Sequence, residues 1–153
     1  MSKPSLLDRM KERILILDGA MGTMIQQENL TPADFGGEEL DGCNEMLVLT
    51  RPDVIRGIHE KYLAAGADLI ETNTFGATSV VLAEYDIPHK AREINLAAAK
   101  LAIEAAEKYS TPDHPRYVVG ILGPTTKTLS VTGGVTFDEL TASYAEHATA
   151  LIE

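Results

Sequence analysis

Three short apolar runs constrain this chain more than any other feature. Each is halted by a small or hydrogen-bonding segment and followed by a stretch of helical period. Arg13-Ile14-Leu15-Ile16-Leu17 stops at Asp18-Gly19, Ala67-Asp68-Leu69-Ile70 leads into Glu71-Thr72-Asn73-Thr74, and Tyr117-Val118-Val119-Gly120-Ile121-Leu122 stops at Gly123-Pro124. Their lengths and β-branched content predict strands, the first of them buried on both faces.

Helices are expected between and after the runs. Thr50 as N-cap with Asp53, and Pro52 in the first turn, open the first of them. Val54, Ile55, Ile58, Tyr62 and Ala65 then follow a helical period up to a stop at Gly66. A second helix is expected from about His89 to Tyr109, with Ile94, Ala98, Leu101 and Ala105 on one face, before Ser110-Thr111-Pro112-Asp113 ends it. A capping box, Thr136 with Glu139, opens the third, which carries Phe137, Leu140, Tyr144, Ala148 and Leu151 at helical spacing.

The order is β-α-β-α-β-α, an α/β pattern of parallel strands covered by helices. A long insert, Ala20 to Leu49, separates the first strand from its helix, with a short helix expected after Thr31-Pro32-Ala33-Asp34 and a break at Gly36-Gly37. The third helix runs to Glu153 without a Gly, Asn or Pro stop, and three parallel strands leave two open edges. The expectation is therefore the front part of something larger, the alternative being a small open sandwich.

Charge narrows the partners. Thirteen Lys and Arg against 23 Asp and Glu give a formal charge of −10 over 153 residues. No basic face for nucleic acid or an anionic membrane is expected from that balance. No apolar run approaches a membrane span and the first residues do not form a signal peptide, so a soluble cytoplasmic protein is expected. Cys43 is the single cysteine, which rules out a disulfide within the chain or a multi-thiolate metal site built from it alone.

In parallel α/β folds the chemistry lies where the strands end. Those ends are Asp18-Gly19-Ala20-Met21-Gly22-Thr23, Glu71-Thr72-Asn73-Thr74-Phe75-Gly76 and Gly123-Pro124-Thr125-Thr126. Asp18 suits an ammonium group, and the N–H groups around Gly19 and Ala20 suit a carboxylate. Asn73 and Thr74 add neutral donors and acceptors. Together they describe a pocket for a small zwitterion such as an amino acid. The alternative is that Asp18 and Asn73 only satisfy turn backbone.

Other motifs fail. The Asp18-to-Gly22 loop lacks the G-x-G-x-x-G order of a dinucleotide site. His59-Glu60 has no second histidine four residues on, so a zincin motif is excluded and His59 is expected at the helix surface or an interface. His147 is expected to be solvated, and His89 and His114 to lie in loops. Cys43 is expected to be an inert loop thiol, and Met21 and Met24 to pack in the core.

The strand ends also carry a likeness. The segment from Arg13 to Thr23, the segment from Ala65 to Phe75 and Gly120-Ile121-Leu122-Gly123-Pro124-Thr125 resemble the homocysteine-binding domain of the cobalamin-dependent methionine synthases. Asn44-Glu45-Met46-Leu47-Val48-Leu49-Thr50-Arg51-Pro52 is similar to the same family's approach to its first barrel helix. The likeness extends in order over nearly the whole chain.

It implies a (β/α)8 TIM barrel with homocysteine bound at the carboxyl face, residues 1–153 being its first three βα units, cut before strand four. It implies that Asp18 and Gly19 grip the amino-acid part of homocysteine, and the strand-end pattern itself adds Ala20, Asn73 and Thr74 near the substrate. It also implies a zinc held by three cysteines, which ionises a thiol whose free pKa is ~8.5. The thiolate then takes a methyl group from methylcobalamin, which methyltetrahydrofolate recharges, both carried by separate modules.

The chain departs from that pattern where the zinc cysteines and a strand-four acidic residue belong, on later strands. No zinc role is carried onto Cys43, the ligands are expected outside the chain, and the isolated chain is expected to be inactive. Two alternatives stand: a cobalamin-independent homocysteine methyltransferase using betaine or S-methylmethionine, and a self-associating half-barrel binding module. The long insert and the Asn44-to-Pro52 stretch favour the cobalamin enzyme over the first.

Overall fold

In the computed structural model, residues 4–129 and 134–153 are described. The chain opens with α1 (Leu6–Glu12), whose first turn is capped by Ser5. An extended stretch then leads to α2 (Met21–Gln27) and α3 (Pro32–Phe35). After 3-10 turns at Glu38–Leu40 and Asn44–Met46 come α4 (Leu47–Thr50) and α5 (Pro52–Ala65). Strand β1 (Leu69–Glu71) leads into α6 (Ser79–Leu82), two further 3-10 turns and α7 (Ala91–Tyr109). Strand β2 (Tyr117–Val119) and α8 (Phe137–Ile152) complete it. Among the described residues no helix is long and apolar enough to cross a membrane.

The sheet is smaller than the runs predict. β1 and β2 pair in parallel, Leu69 with Tyr117, Ile70 with Val118 and Glu71 with Val119. The first run is extended and joins β1 through one bridge, Leu17 to Leu69, without forming a ladder strand. The Ile16 carbonyl accepts from the N–H groups of Asp68 (2.8 Å) and Leu69 (3.1 Å), and the Asp18 N–H donates to the Leu69 carbonyl (3.0 Å). It is also not buried on both faces: Ile14 is 85% exposed and Ile16 56%. The reason is that only β1 flanks this run, so one edge and one face have no neighbour among the described residues.

Two helix boundaries differ from expectation for local reasons. Thr50 does not cap α5: its hydroxyl donates back to the Met46 carbonyl (3.1 Å), ending α4. Arg51 takes the N-cap position, and its guanidinium pairs with Asp53 and Asp34 instead. Pro52 begins α5 as expected, and Gly66, at φ 110°, ends it in the left-handed conformation that glycine adopts without penalty. At the second helix, Pro88–Lys90 is a 3-10 turn, so the α-helix proper starts at Ala91. The capping boxes at Thr31–Asp34 and Thr136–Glu139 both form.

The main core lies between α5 and α7 and takes in the insert. Ile55 and Ile58 meet Ile94, Ala98 and Leu101, and the insert contributes Ile25, Phe35, Cys43, Met46, Leu47 and Val48. Met21 and Met24 pack against this cluster partly buried, as their spacing suggests. Leu63 and Ile70 join Ala102, Ala105 and Ala106 in a second cluster, where the short side chains let α7 approach α5 and β1 closely.

Both mid-helix histidines are inside, against expectation. His59 and His147 are each 0% exposed, and their ring nitrogens meet no hydrogen-bond partner of good geometry. Along α8 the fully buried line is Ser143, His147 and Ala150, with Phe137 exposed and Leu140, Tyr144, Ala148 and Leu151 only partly covered. The helix is therefore turned from the face its apolar residues predict. Ser143 draws that line inward, its hydroxyl lying 2.7 Å from the Ser79 hydroxyl of α6. His89 and His114 do fall in a 3-10 turn and a loop.

At the amino end of β1 a buried carboxylate ties three segments together. Asp68 accepts from the Arg13 guanidinium, from the Ile16 N–H (2.8 Å) and from the His114 ring (2.7 Å). Burial pushes its pKa up, but these partners outweigh it and hold the carboxyl at about 2. The Tyr117 hydroxyl donates to the Pro4 carbonyl (2.9 Å) and Arg9 donates to the Asp113 carbonyl (2.8 Å), fixing α1 beneath the same end.

Candidate functional site

The opposite, carboxyl ends of the strands gather the polar groups singled out in the sequence. Asp18 follows the bridge to β1 and is half-buried. Its Oδ1 accepts from the Glu71 N–H (2.9 Å), so the first run and β1 are joined at their ends through a side chain. Burial pushes the Asp18 pKa up to about 6; the N–H groups of Glu71 and Asp18 oppose this, and the Glu71 charge adds to it. Near neutral pH the group is therefore mostly ionised, held in place, and still reached by solvent.

Gly19 and Ala20 lie beside it, both exposed. A Cβ placed on Gly19 would meet nothing within 4 Å, so the backbone there is open to a ligand. Ala20 adopts φ 38°, ψ 43°, a left-handed conformation that costs a non-glycine residue roughly 1–2 kcal/mol. The turn lets the chain leave the extended run and enter α2 directly.

Asn73 and Thr74 are placed differently. Both are buried and their polar atoms face the chain itself. Asn73 Nδ2 donates to the Asn44 carbonyl (2.8 Å) in the insert. The Thr74 hydroxyl donates to the Ile121 carbonyl (2.8 Å) and lies 2.7 Å from the Thr72 hydroxyl, which in turn accepts from the Ile121 N–H (3.1 Å). The structure thus brings Asp18 and Glu71 together, leaves Gly19 and Ala20 open next to Asp18, and buries Asn73 and Thr74 in bonds to Asn44 and Ile121.

The third strand end closes against the second. The Gly123 N–H donates to the Phe75 carbonyl (3.1 Å), and the Tyr144 hydroxyl of α8 donates to the Gly123 carbonyl (2.6 Å). A Cβ on Gly123 would stand 2.4 Å from the Phe75 carbonyl oxygen and 2.8 Å from its ring, so only glycine fits.

Sequence reasoning passed over several residues that build this end. Glu45 accepts from the Gly76 N–H (2.7 Å) across 31 residues, a separation that carries no local pattern. Tyr144 was visible only as an apolar helix position. Glu71 and Phe75 were within reach, since the strand-end segment contains them.

No metal site fits these residues. Among the described residues no group of three His, Cys, Asp or Glu side chains could hold a metal ion. Cys43 is buried in the insert, and burial together with the Glu45 charge pushes its thiol up to about 11, the opposite of what a thiolate ligand requires.

Two parallel strands leading into helices, with a half-buried carboxylate and open backbone at the strand ends, define an α/β protein. Solved structures agree on the fold. The metallated form of the homocysteine methyltransferase MmuM from Escherichia coli superposes with a TM-score of 0.74 at 22% identity, over 96% of this chain and 53% of that one. The oxidised form of the same protein gives 0.72 at 25% identity, over 96% and 51%. A methionine synthase of Mycobacterium leprae is 44% identical over 148 residues, 97% of this chain but 12% of that protein's length. Residues 15–153 match the sequence profile of the homocysteine S-methyltransferases, and the chain belongs to that family.

Proposed function

We propose that this chain forms the first three βα units of a (β/α)8 barrel and supplies the part of its pocket that grips the amino-acid end of homocysteine for S-methylation to methionine. The observation that carries this is Asp18, a half-buried, ionisable carboxylate fixed by the Glu71 N–H beside open backbone at Gly19 and Ala20. Asp18 accepts from the substrate ammonium, and the N–H groups of Gly19 and Ala20 donate to its carboxylate. Asn73 and Thr74 form the wall behind, held by their bonds to Asn44 and Ile121.

The barrel reading accounts for exposed apolar groups along the first run and beyond β2: Ile14, Ile16, Leu17 and Leu122 lie where further strands would cover them. Sulfur activation needs a metal, zinc in this reading, whose ligands lie outside the described residues. The 44% identity to a methionine synthase supports methylcobalamin, recharged by methyltetrahydrofolate on other modules, over betaine or S-methylmethionine as donor.

The test is the pH profile of homocysteine binding by the complete polypeptide, as the cell makes it, beside Asp18→Asn. Affinity falls as pH drops through about 6, where Asp18 gains a proton. The variant loses roughly tenfold or more, as expected for an ion-assisted bond of ~1.5–3 kcal/mol, and loses that pH step. Equal affinity in the two proteins would remove Asp18 from the pocket.

A further inference from the structure

The insert between the first run and α5 is not explained by a grip on the substrate's polar end. Its buried side chains complete the core, yet Asn44 and Glu45 reach out of it to the loop after β1. Within Thr72–Thr78 every residue is buried except Phe75, which is 60% exposed. That one residue is held from all sides. The Asn73 amide donates to the Asn44 carbonyl (2.8 Å) and the Thr74 hydroxyl to the Ile121 carbonyl (2.8 Å). The Gly76 N–H donates to Glu45 Oε1 (2.7 Å), and the Phe75 carbonyl itself accepts from the Gly123 N–H (3.1 Å). The ring rests against Gly123, where no side chain fits.

A single exposed apolar side chain is ordinary on a protein surface. An exposed phenyl ring on a loop held by four hydrogen bonds to two separate segments, the insert and the end of β2, is not, because a surface turn needs no such support. The ring also lies at the strand end that carries Asp18, on the loop that directly follows Glu71. Resting on the function proposed above, we infer that Phe75 is a substrate-contacting residue that meets the methylene and sulfur portion of homocysteine, and that Glu45 is its positioning residue. The chemistry is complementary. Asp18, Gly19 and Ala20 satisfy the charged end of the substrate, while the remaining two methylenes and soft sulfur are best met by an aromatic ring. Glu45 acts only through the loop, its carboxylate closing on an N–H that has no room for a substituent at Gly76, where a Cβ would stand 2.8 Å from Glu45 Oε1.

Calorimetric titration of the complete polypeptide with L-homocysteine, together with its melting temperature, tests this. Phe75→Ala is expected to weaken binding about tenfold while the melting temperature stays within a few degrees of wild type. Glu45→Ala is expected to weaken it several-fold, and Glu45→Gln, which keeps an acceptor oxygen, to restore it. A Phe75→Ala variant that melts earlier yet binds homocysteine normally would make the ring a packing residue and overturn the inference. So would unchanged binding and melting, with Asp18→Asn still weakened, leaving the parent reading intact. A wild-type polypeptide that binds no homocysteine would overturn both.

Discussion

The Thr74 hydroxyl donates to the Ile121 carbonyl, 2.8 Å away, and that one bond sets the direction of a closed buried ring. A carbonyl oxygen can only accept, so Thr74 gives it the proton and must itself accept from Thr72 (2.7 Å). Thr72 then accepts from the Ile121 N–H (3.1 Å). Ile121 is thus satisfied at both its backbone groups by the loop of the neighbouring strand, beyond the point where the β1–β2 ladder has ended.

Breaking this ring is expected to be costly because both threonines are buried. Thr74→Val keeps the shape but strands the Ile121 carbonyl and the Thr72 hydroxyl, and should cost about 1–3 kcal/mol. Thr74→Ser retains the donor and should lose less. Urea unfolding of the two variants beside wild type checks the order; equal midpoints would show the ring contributes nothing.

Gly123→Ala should be among the most damaging small substitutions in the chain. The added methyl carbon would meet the Phe75 carbonyl oxygen at 2.4 Å, which forces backbone rather than side chain to move. A loss of at least about 2 kcal/mol is expected, with a clear fall in melting temperature. By contrast, Gly19→Ala has open space around its Cβ and should melt close to wild type.

Stability should decline in mildly acidic solution through His59. Burial lowers its pKa from 6.5 to about 4. The folded state therefore favours the neutral ring, so its contribution is complete above pH 6.5 and is lost as pH falls from there toward 4. The loss approaches about 3 kcal/mol at the lower limit. His147, lowered chiefly by burial as well, acts in the same direction. Urea midpoints at pH 7 and pH 5 should differ in wild type and differ less in His59→Leu.

How much of this was legible follows from where each signal sits. The Thr136–Glu139 capping box, the Gly66 stop and the buried line Ile94, Ala98, Leu101 and Ala105 are local patterns that form where they are expected, whereas Thr50 turns back to Met46 and leaves the N-cap of α5 to Arg51. The first run is not a doubly buried strand because burial is a property of its neighbours, and among the described residues it pairs with β1 alone. His59 and His147 are buried against expectation because a histidine on a helix says nothing about which face its helix turns inward. Asp18 was found from its position after an apolar run, whereas Glu45 and Tyr144 reach the strand ends across the fold and leave no spacing to read.

Asp68 has a consequence for the order in which the chain assembles. Its partners Arg13 and Ile16 precede it by 55 and 52 residues, while His114 follows it by 46. During synthesis, Arg13 therefore already exists when Asp68 is added, whereas the imidazole follows only 46 residues later. The joint can be sealed only when the loop ahead of β2 arrives, so the nascent polypeptide carries an unfinished seam until His114 has been added.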